Sequence, residues 1–137
     1  TYGLERLAMY LQKVDSFWEM EYGAGISYTE VFRENERQFS KYNFEAADTA
    51  VLAKHFEEFE REARRLIDLG LVLPAYDFVI KASHAFNLLD ARGAISVTER
   101  TGYIGRVRGL ARKTALAYLK MREDLGHPLL PKVEAAQ

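Results

Sequence analysis

The sequence predicts an all-α protein. Apolar residues recur at spacings of three and four through most of the chain, which is the period of a helix with one buried face. The stops between these runs are glycine or proline, with only three prolines, at 74, 128 and 131. No low-complexity tract or solenoid-type repeat interrupts the pattern.

Leu4, Leu7, Ala8, Leu11 and Val14 make residues 3–15 a short amphipathic helix. Residues 16–27 break that period and contain Gly23 and Gly25, so they read as an irregular or extended connector. Thr29 precedes Val31, Phe32 and Phe39, and predicts a helix over 29–41. The clearest helix is 46–69, with a stripe of Val51, Leu52, His55, Phe56, Phe59, Ala63, Leu66 and Ile67. Asp48 or Thr49 caps it and Gly70 ends it. Its carboxylates, including Glu57, Glu58, Glu60 and Glu62, read as a solvated face, with i,i+4 pairs from Glu57 to Arg61 and from Glu60 to Arg64. Pro74 suits the first turn of a helix over 74–90, with Tyr76, Val79, Ile80, Ser83, Phe86 and Asn87 along one face. After a turn at 90–93, Ser96 opens a last helix to about 125, stopped by Gly126 and Pro128, and the tail from His127 reads as frayed. The domain organisation expected is a helix over 1–15, a connector over 16–28, a helical domain over 29–126 and a flexible tail over 127–137.

Composition excludes several classes of function. The chain of 137 residues is 48% hydrophobic and 28% charged, as expected for an ordinary globular domain. Without cysteine there is no disulfide framework, thiolate zinc site or cysteine nucleophile. Apolar runs fall far short of the roughly 20 residues of a membrane helix. Nineteen basic and twenty acidic residues nearly cancel, so net charge alone implies no polyanion binding. The distribution is uneven, however. Residues 15–62 hold twelve acidic and five basic side chains, whereas 92–122 hold eight basic ones against Glu99 alone. The basic helix either grips phosphates, lies against the acidic helices of its own domain, or is simply a solvated face. Gly102, Gly105 and Gly109 in the same helix point to close backbone packing, or failing that to a kink near 102.

Chemistry is sparse. His55 lies on an apolar stripe and reads as half-buried, while His84 has no second histidine at i+4 to build a zinc pair. Gly-Ala-Gly at 23–25 lacks the lysine of a phosphate loop. The opening Thr-Tyr-Gly-Leu-Glu-Arg is more informative. Gly3 permits close approach at a helix entry, Glu5 is favoured by the dipole and can hold an ammonium, and Arg6 offers a planar fork for a phosphate or a base. This opening has no methionine and runs at once into helix, so the chain is expected to continue a longer protein upstream.

Those residues resemble motif 3 of class II aminoacyl-tRNA synthetases, in which Gly-Leu-Glu-Arg opens a helix under the catalytic sheet. TYGLERLAMYLQ (1–12), YTEVFRENERQFSKYNFE (28–45), LPAYD (73–77) and KASHAFNLLDARGAISVTERTGYIGRVR (81–108) are similar to the C-terminal half of the bacterial glycyl-tRNA synthetase alpha subunit. NLLDAR (87–92) and ISVTER (95–100) are the most specific, since no generic helix rule asks for them. The resemblance implies glycine–tRNA ligase activity in the cytoplasm. ATP and Mg2+ serve to form glycyl-adenylate, and the glycyl group then passes to tRNA(Gly). It implies a tetramer of two alpha and two beta subunits. Arg6 inherits the contact with ATP, Gly3 adjoins it, and Thr1 and Glu5 line the glycine pocket. No metal ligand is carried over. Arg100, Arg106, Arg108, Arg112 and Lys113 become candidates for contact with tRNA or the beta subunit, the latter slightly preferred.

The family's motifs 1 and 2 and its antiparallel sheet are absent from these residues, and 16–27 is shorter than the usual connector. The chain is therefore expected to be inactive alone and to bind no cofactor by itself. A non-catalytic helical RNA-binding or subunit-interaction module is the alternative.

Overall fold

Helix boundaries follow the cap residues of the sequence closely. The computed structural model describes residues 3–130, and within them the chain is helical apart from one small hairpin. The helices are α1 (Leu4–Gln12), α2 (Tyr28–Lys41), α3 (Thr49–Asp68), α4 (Val72–Ala91) and α5 (Val97–Asp124). Contacts divide the chain into two units, one ending at Ala47 and the other starting at Asp48. Residues 29–47 thus group with α1, although the sequence carried 29–126 as one domain.

In the first unit, α1 stops earlier than the expected residue 15, because Lys13 adopts a left-handed conformation with φ 58°. The connector is more ordered than its composition suggests. A single 3-10 turn at Phe17–Glu19 leads into a two-stranded antiparallel hairpin, β1 (Glu21–Gly23) and β2 (Ile26–Ser27). Gly25 sits at φ 77° in the turn, where a side chain would be strained. The Gln12 side chain clamps the hairpin: its amide nitrogen donates to the Glu21 carbonyl at 2.9 Å, and its oxygen accepts from the Glu21 N–H at 2.8 Å. Ser27 caps α2 in a capping box with Glu30, so the helix starts at Tyr28 rather than after Thr29. A π-helical turn, Tyr42–Ala46, closes the unit. Neither α1 nor α2 buries a residue fully, and Leu4 and Tyr10 are 82% and 83% exposed.

The second unit is a three-helix bundle. Asp48 caps α3 by accepting from the N–H groups of Ala50 and Val51. Gly70 at φ 73° ends α3, and the Leu71 N–H returns to the Leu66 carbonyl at 2.9 Å. Gly93 ends α4 and Gly126 ends α5 in the same way, with the Ala94 N–H returning to the Leu89 carbonyl and the His127 N–H to the Arg122 carbonyl, both at 3.0 Å. The three-residue link makes α3 and α4 an antiparallel hairpin, whose interface is the most extensive in the chain. Pro74 falls in the first turn of α4 as expected, although the helix begins two residues earlier.

The buried faces differ from the expected stripes. On α3 the core positions are Leu52, Phe56, Glu60, Ala63 and Leu66, while Val51 and His55 are exposed. On α4 they are Val72, Ala75, Val79, Ala82, Ala85, Phe86, Leu88 and Leu89, while Tyr76 and Ile80 face outward. The reason is size: Ala63, Ala75 and Ala82 are wholly buried, so small side chains take core positions on both helices. Large-residue periodicity overlooks an alanine seam. The core centre is Phe56 with Ala82, Ala85 and Phe86, packed by Phe59, Ile95, Tyr103, Ile104 and Val107. A second cluster joins Ala63, Val79 and Leu110.

Phe56 is wholly buried with its ring edge-on to Tyr103 at 4.6 Å. Phe56→Ala is expected to lower unfolding free energy by about 3–4 kcal/mol, as a large-to-small change at a closed site. Urea unfolding followed by circular dichroism measures it.

Candidate functional site

The sequence-predicted site residues fall in both units. Gly3 is the residue before α1 and has φ 74°, while its carbonyl accepts from the Leu7 N–H at 3.3 Å. A Cβ there would meet only the Arg6 Cβ, at 4.0 Å, so backbone conformation rather than crowding selects glycine. Arg6 is exposed on the first turn and makes no ion pair among the described residues. A guanidinium without a counter-ion at a helix start fits a phosphate oxygen or the face of a base. Glu5 is exposed beside it, and its Oε1 accepts from the Tyr28 hydroxyl at 3.4 Å. Thr1 lies outside the described residues.

Glu5 also lines an open pocket of about 440 Å³ between α1, the hairpin and α2. Gln12, Met20, Tyr22, Tyr28 and Phe32 form the rest of its main wall. The aromatic rings hold one another: Tyr28 lies 4.4 Å from Phe32, and Tyr22 meets Phe32 edge-on at 5.4 Å. No group of three histidines or carboxylates among the described residues is placed to hold a metal ion.

The basic residues of α5 separate into two groups. Arg100 and Arg106 are engaged within the bundle. The Arg100 Nε donates to Asp90 at 3.0 Å, tying the start of α5 to the end of α4. Arg106 donates to Glu57 at 2.7 Å and from its Nε to Glu60 at 2.9 Å, with a further contact from Nη2 to Glu60. Its guanidinium lies over the Phe56 ring at 4.5 Å and near Tyr103 at 5.5 Å. Glu60 also accepts from Arg64 at 2.6 Å, the i,i+4 pair expected from sequence, whereas Glu57 pairs with Arg106 rather than with Arg61.

Glu60 is a correction to the solvated-face expectation, being only 7% exposed. Burial pushes its proton affinity up, but the hydrogen bonds from Arg106 and Arg64 outweigh that and hold it below the usual carboxylate range. Arg106 is shifted upward by its bonds to Glu57 and Glu60. Part of the basic helix thus lies against acidic residues of its own domain.

Arg108, Arg112 and Lys113 are exposed and make no ion pair among the described residues. They share the outer side of α5 with Gly102, Gly105 and Gly109, and with Leu116 and Leu119. A Cβ at any of the three glycines would meet nothing within 4 Å, so neither close packing among the described residues nor a break accounts for them. The helix is continuous from Val97 to Asp124. His55 is exposed, not half-buried, and rests its ring on Phe59 at 5.6 Å. No helix among the described residues is long and apolar enough to cross a membrane.

Residues 1–123 match the family model of the glycyl-tRNA synthetase alpha subunit.

Glu60 ionises more readily folded than unfolded. Its pairs therefore stabilise the bundle fully above the ordinary carboxylate range, and that contribution is lost as pH falls through the folded value. Arg106→Leu is expected to cost about 2–3 kcal/mol near pH 7, less than for a fully enclosed pair. The cost shrinks at an acidic pH below the folded value of Glu60, where the protonated carboxyl needs no counter-ion. Urea titrations at the two pH values check both parts.

Proposed function

The chain belongs to the glycyl-tRNA synthetase alpha-subunit family, and we propose that α1 supplies its ATP-binding helix, with Arg6 as the contact to the nucleotide. The family carries glycine–tRNA ligase function and works as an assembly of subunits. The supporting observation is the state of Arg6: exposed, without a counter-ion, and on the first turn behind a glycine of positive φ.

In the reaction, a glycine carboxylate oxygen attacks the α-phosphorus of ATP. The bond to the bridging oxygen breaks and pyrophosphate leaves, giving glycyl-adenylate. The terminal ribose hydroxyl of tRNA(Gly) then attacks the glycyl carbonyl and AMP leaves. Negative charge gathers on the phosphate oxygens in the first step, where the Arg6 guanidinium offsets it or stacks over adenine. The Glu5 carboxylate is suited to the glycine ammonium, and the family match adds Thr1 to the same pocket. One arginine does not hold a triphosphate by itself. Activity therefore resides in the cytoplasmic assembly of two alpha and two beta subunits rather than in these 137 residues alone.

Glycine-dependent ATP–pyrophosphate exchange tests this. The assembled enzyme is expected to exchange, with Arg6→Ala lowering kcat/KM about 100-fold or more, within the range for losing one charge-stabilising donor. Exchange unaffected by that change would remove Arg6 from the ATP site.

The outer side of α5 supports a second assignment, to the beta subunit rather than to tRNA. Arg108, Arg112 and Lys113 make no ion pair among the described residues, and the open glycines leave room for another backbone to come close. Reversing charge at Arg108 and Arg112 is expected to weaken subunit assembly at least tenfold in sedimentation while glycyl-adenylate formation persists. Normal assembly with weakened tRNA binding would transfer this face to the RNA.

A further inference from the structure

The geometry points to Tyr28 as a positioning residue for Glu5, fixing one carboxylate oxygen so that the other is presented to the amino-acid ammonium. This rests on the proposal that Glu5 lines the glycine pocket. Glu5 is an exposed side chain on the first turn of α1 and would otherwise sample several rotamers. Its one hydrogen bond among the described residues is to the Tyr28 hydroxyl, which donates to Oε1 at 3.4 Å and leaves Oε2 without a partner.

Tyr28 is held far more firmly than the carboxylate it meets. Its backbone N–H donates to the Met20 carbonyl at 2.7 Å. It is the first residue of α2, directly after the Ser27–Glu30 capping box. Its ring lies 4.4 Å from Phe32, meets Phe17 edge-on at 5.9 Å and lies 6.1 Å from Trp18. The Thr29 hydroxyl donates to the Trp18 carbonyl at 2.6 Å, locking the 3-10 turn to the same helix. A rigid donor facing a mobile acceptor sets the acceptor's position. Desolvation, and then the nearby Glu5 charge and hydrogen bond, raise the phenol's proton affinity, so it remains a donor.

Tyr28 touches no reacting atom in this scheme, so its effect should fall on glycine binding rather than on ATP. In the assembled enzyme, Tyr28→Phe keeps the ring packing and removes only the donor. The glycine KM in ATP–pyrophosphate exchange should rise about five- to tenfold, for loss of one weak charge-assisted hydrogen bond. The ATP KM should stay within about twofold and the melting temperature should be unchanged. Adding Tyr28→Phe to Glu5→Ala should raise the glycine KM no further, since the carboxylate that Tyr28 positions is already gone.

An active enzyme with an unchanged glycine KM, or with full additivity of the two changes, overturns the positioning role alone. So does a joint rise of both KM values with a lowered melting temperature. An unmodified assembly without glycine-dependent exchange overturns the functional proposal and this inference together.

Discussion

A carboxylate in the middle of an apolar seam constrains the second unit. Glu60 lies on the buried face of α3, and an ionised group there is tolerated only if its charge is answered at once. Arg64 answers from one turn along the same helix. Arg106 answers from α5 and is itself sandwiched against Phe56 and Tyr103. Sliding α5 along α3 would separate the guanidinium from both the carboxylate and the Phe56 ring. The pair therefore fixes the register of a helix whose other ties to the bundle are non-directional apolar contacts. The Asp90–Arg100 pair does the same at the start of α5, so ions set the register at Arg100 and Arg106, and the buried Leu110 follows one turn further on.

This arrangement sorts the basic residues of α5 by job. Arg100 and Arg106 hold the bundle together, whereas Arg108, Arg112 and Lys113 are left for whatever lies outside. Three interior glycines cost helical stability, on the order of 1 kcal/mol each, and among the described residues nothing packs within 4 Å of where their side chains would lie. Charge without partners and backbone without cover lie on the same side of the same helix. That coincidence is what makes a subunit face a better reading than a solvated one.

Much of the fold was legible because it is written in caps. Asp48, Gly70, Pro74, Gly93, Ser96 and Gly126 all act at helix ends, where one residue type satisfies a local backbone need. The buried faces were less legible, since Ala75, Ala82 and Ala85 carry little weight in a search for large apolar residues. Glu60 was misplaced because nothing local marks a carboxylate whose partner lies 46 positions away. ISVTER proved partly generic, as Ser96 and Glu99 form an ordinary capping box, and its specific part is Arg100 reaching back to Asp90 of NLLDAR. At the candidate site, Gly3, Glu5 and Arg6 were found from a motif. Tyr28 was not, because its role appears only when the hairpin folds the chain back on α1.

The chain's one tryptophan, Trp18, sits in the aromatic group with Phe17 and Tyr28, inside the first unit. Most of the helical backbone belongs to the second. Intrinsic emission and the far-ultraviolet dichroic signal thus observe different halves of the molecule. The first unit buries little, and Met20 and Ala47 are its only fully buried apolar side chains among the described residues. Its melting would register as a red shift of the indole band while ellipticity at 222 nm barely changes. Two non-coincident unfolding curves from one sample would then report two cooperative units rather than an intermediate of one.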